Sequence, residues 1–525
     1  MSHQLMKSMA VTGGMTLVSR ISGLVRDMIF ARMIGAGAGV AADAFYVAFR
    51  IPNFLRRIFG EGAFSQAFIP IFSEYRARDD LARTREFVSH VTGILSITLV
   101  IVTAIGTLAA PLVVLILAPG YLANLTKYHL TVQMLRIMFP YLLFISLVSM
   151  ASGILNTFGR FAIPAFTPVL LNLSMIAAAL WLAPHMAQPV IALAVGVFIA
   201  GILQLLFQLP ALKQLHLLPR PQISLKDEGV RRMFKLMLPG VFSVSVAQIN
   251  LLINTILASF LVTGSVSWLY YSDRLMEFPL GIFGVALATV ILPNLSQKHA
   301  QKSAAEFSHT LDWALRIAFT VSIPATVGLI LLGKPLLITL FQRGAFKAHD
   351  VDMAFASLIA FAIGLTPFIL IKILAPGFYA RQQMRYPVRV GMIAIGVDII
   401  ISLSLIYFLK HVALALSTSL AAFVNAGLLF YGLRKEQVYV PLPGWIKFLM
   451  KIIFSSIIMG LILWFMPETS LVWLHASTLQ RVSHLAFWLI IGMLVYITVM
   501  FTLGVRPHAF MLKQVDQTKE VSGNE

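Results

Sequence analysis

Residues 268–294 read WLYYSDRLMEFPLGIFGVALATVILPN. A membrane span takes about 20 predominantly apolar residues. This stretch is long and apolar enough, yet Asp273, Arg274 and Glu277 fall in one of its turns. A charge at the bilayer centre costs about 2.5–3.5 kcal/mol or more. Such a cluster therefore either neutralises itself or lines a wet cavity. On a helix, Asp273 and Glu277 stand i,i+4 and Arg274 and Glu277 i,i+3, so all three can touch. One reading is a self-neutralising structural triad. The other is that the carboxylates hold Arg274 while its planar fork grips a phosphate. A carboxylate that changes partner between two conformations then acts as a gate.

The same anomaly recurs outward from this stretch. Arg20, Arg26, Arg50 and Arg56 sit in the first two hydrophobic segments, and Lys372 lies inside the apolar run 361–374. Arg20 and Asp27 are seven residues apart and share a helix face, with Arg26 about 120° away. Ser22-Gly23 between them can bend the helix and bring both arginines to one cavity. The alternative for Arg26 and Asp27 is a snorkelling or paired position near an interface. Asp43, Arg50 and Arg57 follow heptad spacing until Pro52 interrupts. Arg57 reads as a positive anchor at a helix end, and Arg56 equally well as an anchor or a cavity residue. Lys372 has no acid within a turn, so it either gives up its proton or waits for an anionic ligand; the ligand is the preferred reading. Asp398 is a lone acid amid 396–405, either a hydrogen-bonded structural residue or a site for a coupling cation or proton. Asp312 and Arg316 look like an ordinary local pair. A cavity lined this way suits an anion.

Composition narrows the class. The chain has 525 residues, 59% hydrophobic and 12% charged, with mean hydropathy +0.87. That balance belongs to a polytopic, all-helical membrane protein. The net charge of +19 does not point to nucleic acid, because the basic residues lie between hydrophobic segments, as the positive-inside rule demands. Cysteine is absent, which excludes disulfides, thiolate metal sites and cysteine nucleophiles. Gly35-Ala-Gly37-Ala-Gly39 is followed by no Gly-Lys-Ser/Thr, so it is not a phosphate-cradling loop. No enzyme signature is present.

Fourteen spans are expected, at 8–33, 40–58, 88–118, 131–156, 163–183, 188–210, 233–262, 268–294, 310–332, 352–379, 387–409, 412–433, 447–466 and 482–504. Arginine and lysine concentrate in alternate loops. That predicts both termini on the cytoplasmic side, with 333–351 the one clear exception. Segments 59–86, 211–232 and 436–446 are long enough to lie on the membrane surface. Phe45-Tyr46 ahead of Phe68-Ile69-Pro70 answers Trp268-Leu269 ahead of Ile291-Leu292-Pro293 at an offset of 223, and Gly153–Pro164 answers Pro376–Pro387 at the same offset. Two matches at one offset suggest a duplication. Two parallel six-helix lobes with a site between them is a transporter architecture. The expected division is an N-lobe at 1–228, a C-lobe at 229–440, two further helices at 441–505 and a polar cytoplasmic tail at 506–525.

The motifs are also recognisable as a set. Ser19-Arg20, Gly23-Leu-Val-Arg26-Asp27, Ala42-Asp43-Ala44-Phe45, Pro52-Asn53-Phe-Leu-Arg56-Arg57 and Gly60-Glu61-Gly62-Ala63-Phe64-Ser65-Gln66-Ala67-Phe68 resemble the MurJ (MviN) family. So do Ser267 to Pro279 and Lys372-Ile-Leu-Ala375-Pro376-Gly377-Phe378-Tyr379. These are lipid II flippases of the bacterial inner membrane, in the superfamily of the multidrug and polysaccharide exporters. The resemblance runs from about residue 7 to 505. It implies fourteen helices around a cationic central cavity and alternating access that carries undecaprenyl-pyrophosphate-linked disaccharide-pentapeptide to the periplasmic leaflet. It places the cavity arginines at Arg20, Arg26, Arg56 and Arg274, the cavity acids at Asp43, Asp273 and Glu277, and the cavity lysine at Lys372. It makes the last two helices part of a groove for the lipid tail. Some members bind sodium in the C-lobe, which leaves Asp398 as a candidate only.

The residues fit this independently. A diphosphate is multiply anionic, and bidentate arginine suits it better than lysine. The expected partners are lipid II, membrane lipids, and cell-wall synthesis and division proteins, with no nucleic acid and a monomer as the working unit. No cofactor is expected; a coupling cation or the membrane potential is the energy source. Alternatives are a flippase for another undecaprenyl-linked oligosaccharide, a multidrug-type exporter, which should have an acidic cavity instead, and a non-transporting scaffold.

Overall fold

A computed structural model describes residues 3–37, 39–57, 64–78, 80–224, 227–465, 473 and 476–505, without the side chains of 3–12, 238–240, 242–247 and 285. The described residues form helices and turns, with no strand among them. In order the α-helices are α1 (His3–Ile34), α2 (Val40–Leu55), α3 (Ser65–Ala77), α4 (Leu81–Leu108), α5 (Ala110–Leu117), α6 (Leu125–Met138), α7 (Tyr141–Thr157), α8 (Ala162–Ala177), α9 (Pro189–Gln214) and α10 (Glu228–Ser259). They continue as α11 (Ser265–Pro279), α12 (Val285–Ala300), α13 (Ala304–Phe341), α14 (Ala348–Ile363), α15 (Leu365–Tyr379), α16 (Arg385–Leu409), α17 (His411–Lys435), α18 (Trp445–Trp464) and α19 (Thr478–Thr502).

Local chemistry sets these boundaries. Side chains of Asp80, Asn124, Asp227 and Ser477 accept the free backbone amides that open α4, α6, α10 and α19. Ser477 and Gln480 complete a reciprocal capping box. Breaks fall at Pro and Gly. The expected span 88–118 divides at Ala109, with Pro111 in the first turn of α5, where a missing N–H costs nothing. The span 131–156 divides at Phe139-Pro140. The span 268–294 passes through one π-helical turn, Leu280–Gly284, after Pro279. The span 352–379 bends by 40° between α14 and α15.

Ten stretches are long and apolar enough to cross a membrane, or eleven if α14 and α15 form one bent span. Three of the fourteen expected spans fall short of that measure. α1 is long enough at 32 residues, but it carries Arg20, Arg26, Asp27 and Arg32. α2 has only 16 residues, with Asp43 and Arg50 among them. The described apolar part of α10 is Gln248–Ser259. For α1 the charges themselves hold the helix below that measure, and for α2 its length does. The count of fourteen is therefore not fixed by length and composition. The tail 506–525 and the motif residues 58–63 lie outside the described residues.

The chain forms two compact units. One comprises Met1–Ser267 with Arg343–Lys347, and the other Trp268–Gln342 with Ala348–Glu525. α10 packs on α3, α4 and α5 in the first unit, whereas the sequence division at 228/229 assigned this segment to the second lobe. In the first unit α1 packs on α8, α2 on α6, and α7 and α8 on α9. In the second, α13 packs on α12, α14, α15, α18 and α19, while α16 packs on α17. The last two helices touch each other as well as α13, and Tyr496 Oη donates to the Thr320 carbonyl at 2.8 Å. Lipid offers no hydrophobic drive for helix association, so close packing and interhelical hydrogen bonds hold such units together. Outward-facing positions are apolar, for example Ile400 and Leu403 on α16 and Ile490 and Met493 on α19.

The internal repeat has a structural counterpart. The α7–α8 and α15–α16 corners carry Gly159 (φ 74°) and Gln382 (φ 59°), both left-handed and related by the same offset as the sequence matches.

Candidate functional site

In the first unit the charges of α1 divide into two kinds. Arg20 is half-buried and forms no hydrogen bond or ion pair among the described residues. Arg26 and Asp27 are buried, at 6% and 0% exposure. Both Nε and Nη2 of Arg26 donate to Asp27 Oδ1, at 3.0 and 2.6 Å, and the guanidinium lies 5.8 Å from the Phe30 ring centroid. Its Nη1 donates to Asn172 Oδ1 of α8 at 3.1 Å. Asn172 Nδ2 donates back to the Ser19 carbonyl (3.1 Å) and to Ser22 Oγ (2.9 Å). α1 stays continuous through Ser22-Gly23.

On α2, Asp43 is fully buried. Its Oδ2 accepts from Lys127 Nζ (2.7 Å) and Gly264 N (2.8 Å), and its Oδ1 from Ser267 N (3.0 Å) and Ser267 Oγ (2.7 Å). The Lys127 ammonium also sits 4.2 Å from the Tyr121 ring centroid. Asp43 thus ties α2 to α6 and to the turn that opens α11. Nearby, the Ala345 amide donates to the Arg32 carbonyl at the end of α1, at 2.9 Å. Arg50 Nη1 donates to Thr255 Oγ1 of α10 at 2.9 Å. Arg56 is half-buried beside Asn53 Oδ1 (3.4 Å), and Arg57 is exposed beside Gln248 Oε1 (3.4 Å).

In the second unit α11 presents Asp273 and Arg274 half-buried and Glu277 exposed. Arg274 Nη1 stands 3.4 Å from Glu277 Oε2, a loose contact at the outer limit of hydrogen-bond length. Lys372 of α15 is exposed, and its stem runs beside Gly284 of the π turn. It forms no ion pair among the described residues. Asp398 is buried on α16, with Thr418 Oγ1 of α17 donating to Oδ1 at 3.4 Å. No three His, Asp or Glu side chains converge on a metal position among the described residues.

Two features exceed the sequence reading. Asp312 and Arg316 do pair, at 2.7 Å, but Asp312 is also the hub of a knot. Its Oδ1 accepts from Tyr439 Oη (2.8 Å), Leu442 N (3.1 Å) and Trp445 Nε1 (2.6 Å). Arg316 lies between the Trp445 and Phe448 rings at 5.1 and 5.2 Å. Burial, reinforced by the Asp312 carboxylate, pushes the Tyr439 phenol far up, so it stays a donor. The second feature is Asn172. The only signal for it in the sequence is an amide inside the apolar run VLLNLSMIA of α8.

Comparison with known proteins supplies the family. The family described as "Lipid II flippase MurJ" matches residues 30–507. A Vibrio cholerae protein named "Probable lipid II flippase MurJ" is 45% identical over 513 residues, covering 96% of this chain and 97% of its own length. A Burkholderia cenocepacia protein named "Lipid II flippase MurJ" is 43% identical over 510 residues, with 96% and 98% covered. A solved structure named "Lipid II flippase MurJ, inward closed conformation" superposes with TM-score 0.79 at 26% identity, covering 94% of this chain and 98% of that one. An inward-facing multidrug transporter of the MATE family, in the MOP superfamily, shares the fold alone, with TM-score 0.64 at 15% identity over 82% of this chain and 98% of its own. The chain belongs to the MurJ family of lipid II flippases.

Proposed function

We propose that this chain carries lipid II from the cytoplasmic to the periplasmic leaflet of the bacterial inner membrane by alternating access, acting as a carrier and not as an enzyme. The observation that supports this most strongly is identity of 43% or more, over nearly the whole chain, to proteins named lipid II flippases. The head of such a substrate is polar and multiply anionic and cannot cross hydrocarbon unaided. Its tail never needs to leave the lipid. Arg20, Arg56, Arg274 and Lys372 bind the diphosphate, and Arg26 acts with them. All but Arg26 are at least partly exposed, which suits ligand contact. Bidentate charge-assisted bonds from arginine are the strong kind. Asp273 and Glu277 compete with the diphosphate for Arg274, and the 3.4 Å spacing to Glu277 suits a contact that is exchanged.

Asp43 contributes to gating through the turn before α11, and Arg50 and Arg57 through α10. Both termini face the cytoplasm, and a monomer is the working unit. Return of the empty carrier is driven by the membrane potential acting on excess positive charge, worth about 2.3 kcal/mol per charge per 100 mV. A cation at Asp398 is the lesser source.

The test is purified protein in liposomes with fluorescent lipid II, with and without an imposed potential. Transport that Arg274→Ala abolishes supports the proposal, and no transport by the wild type rejects it. Transport that ignores the potential removes the energetic step alone.

A further inference from the structure

We infer that Asn172 is a positioning residue that sets the two α1 arginines for the diphosphate. The inference rests on the substrate reading above. Asn172 is 6% exposed and lies within an apolar run of α8. Interhelical hydrogen bonds in membranes contribute modestly to stability, so stability alone is a weak reason for an amide here. What the amide does supply is direction. Its oxygen accepts from Arg26 Nη1 at 3.1 Å, while Asp27 takes Nε and Nη2 of the same guanidinium, so the plane of the fork is fixed from two sides. Its nitrogen donates to the Ser19 carbonyl and to Ser22 Oγ, and Ser22 Oγ itself donates to the Ser19 carbonyl at 2.9 Å. Three of the four hydrogen-bonding positions of the amide are therefore used, all on α1. The Ser19 carbonyl directly precedes Arg20. One side chain thus fixes the peptide beside Arg20 and orients Arg26, two turns along the same helix.

The test measures undecaprenyl diphosphate binding to the purified full-length protein for wild type, Asn172→Leu, Arg20→Ala and the double variant, with melting checked for each. Each single change is expected to weaken binding about fivefold or more, the scale of one or two buried hydrogen bonds. The double variant is expected to lose less than the product of the two single losses, since part of the effect of Asn172 runs through Arg20 and the rest through Arg26. Wild-type affinity in Asn172→Leu, or losses that multiply in the double, overturns the positioning role while leaving the diphosphate reading intact. No binding by the wild type overturns the diphosphate reading and the role with it. Should Asn172→Leu fail to fold, Ser22→Ala, which removes one bond of the same set, takes its place in the cycle with a smaller loss and the same non-multiplicative pattern.

Discussion

Replacing Asp43 by alanine removes a carboxylate that four donors share. Lys127 Nζ, the amides of Gly264 and Ser267, and Ser267 Oγ all lie within 3.0 Å of it. The Lys127 side chain is only 5% exposed, so its ammonium would be left buried with the Tyr121 ring as its remaining neighbour in that knot. Leaving one partner of a buried ion pair uncompensated costs about 3–5 kcal/mol. Each orphaned amide adds up to about 1–3 kcal/mol where water cannot reach it. These figures overlap and do not sum, so about 4 kcal/mol is the working value. Lys127→Ala should cost less, about 2 kcal/mol, because three neutral donors still solvate the carboxylate. Asp43→Ala combined with Lys127→Met should recover part of the loss, since a buried pair replaced as a whole leaves no stranded charge. The chain has no cysteine and seven tryptophans, so tryptophan fluorescence in detergent is the melting probe. The expected order of midpoints is wild type, then Lys127→Ala, then Asp43→Ala lowest, with the double variant above Asp43→Ala. Asp43→Ala melting with the wild type, or a double variant losing the sum of the singles, would refute the reasoning.

Other consequences follow from named contacts. Gly35 (φ 63°) and Gly344 (φ 57°) lie in left-handed backbone, and a Cβ on either would run into the Ala345 or Arg32 backbone. Alanine at either position should destabilise by about 1 kcal/mol or more, and unchanged midpoints would contradict this close approach. Asp312→Ala should release the 436–444 segment from α13, read as faster chymotryptic cleavage after Tyr439; cleavage at the wild-type rate would count against the knot. Arg274→Glu should abolish lipid II transport in liposomes at normal protein level, whereas transport at the wild-type rate would remove Arg274 from the site.

Much of this was legible in the sequence because hydropathy runs and Pro/Gly punctuation are local signals. The expected spans 188–210, 387–409 and 412–433 coincide with α9, α16 and α17 to within a few residues. Nothing in the sequence marks the divisions at Pro140 and Gly364, since proline and glycine are tolerated inside membrane helices. The charges and their partners within a helical turn stand out in the sequence, but their long-range partners do not. Asp43 finds Lys127 from 84 positions away and Ser267 from 224, and no periodicity encodes such pairings. Asp312 showed only its i,i+4 partner, because Tyr439 and Trp445 reach it from a different segment. Asn172 does not stand out, because one amide in an apolar helix looks the same whether it braces a neighbour or merely satisfies itself.

The most direct measurement uses cells in which this chain is the only protein of its kind and can be depleted. A cleaving enzyme added from the periplasmic side reports how much lipid-linked peptidoglycan precursor has been flipped. The predicted result is that the precursor becomes unreachable and accumulates on depletion, and that Arg274→Ala behaves like depletion. Precursor that stays reachable throughout would contradict the assignment.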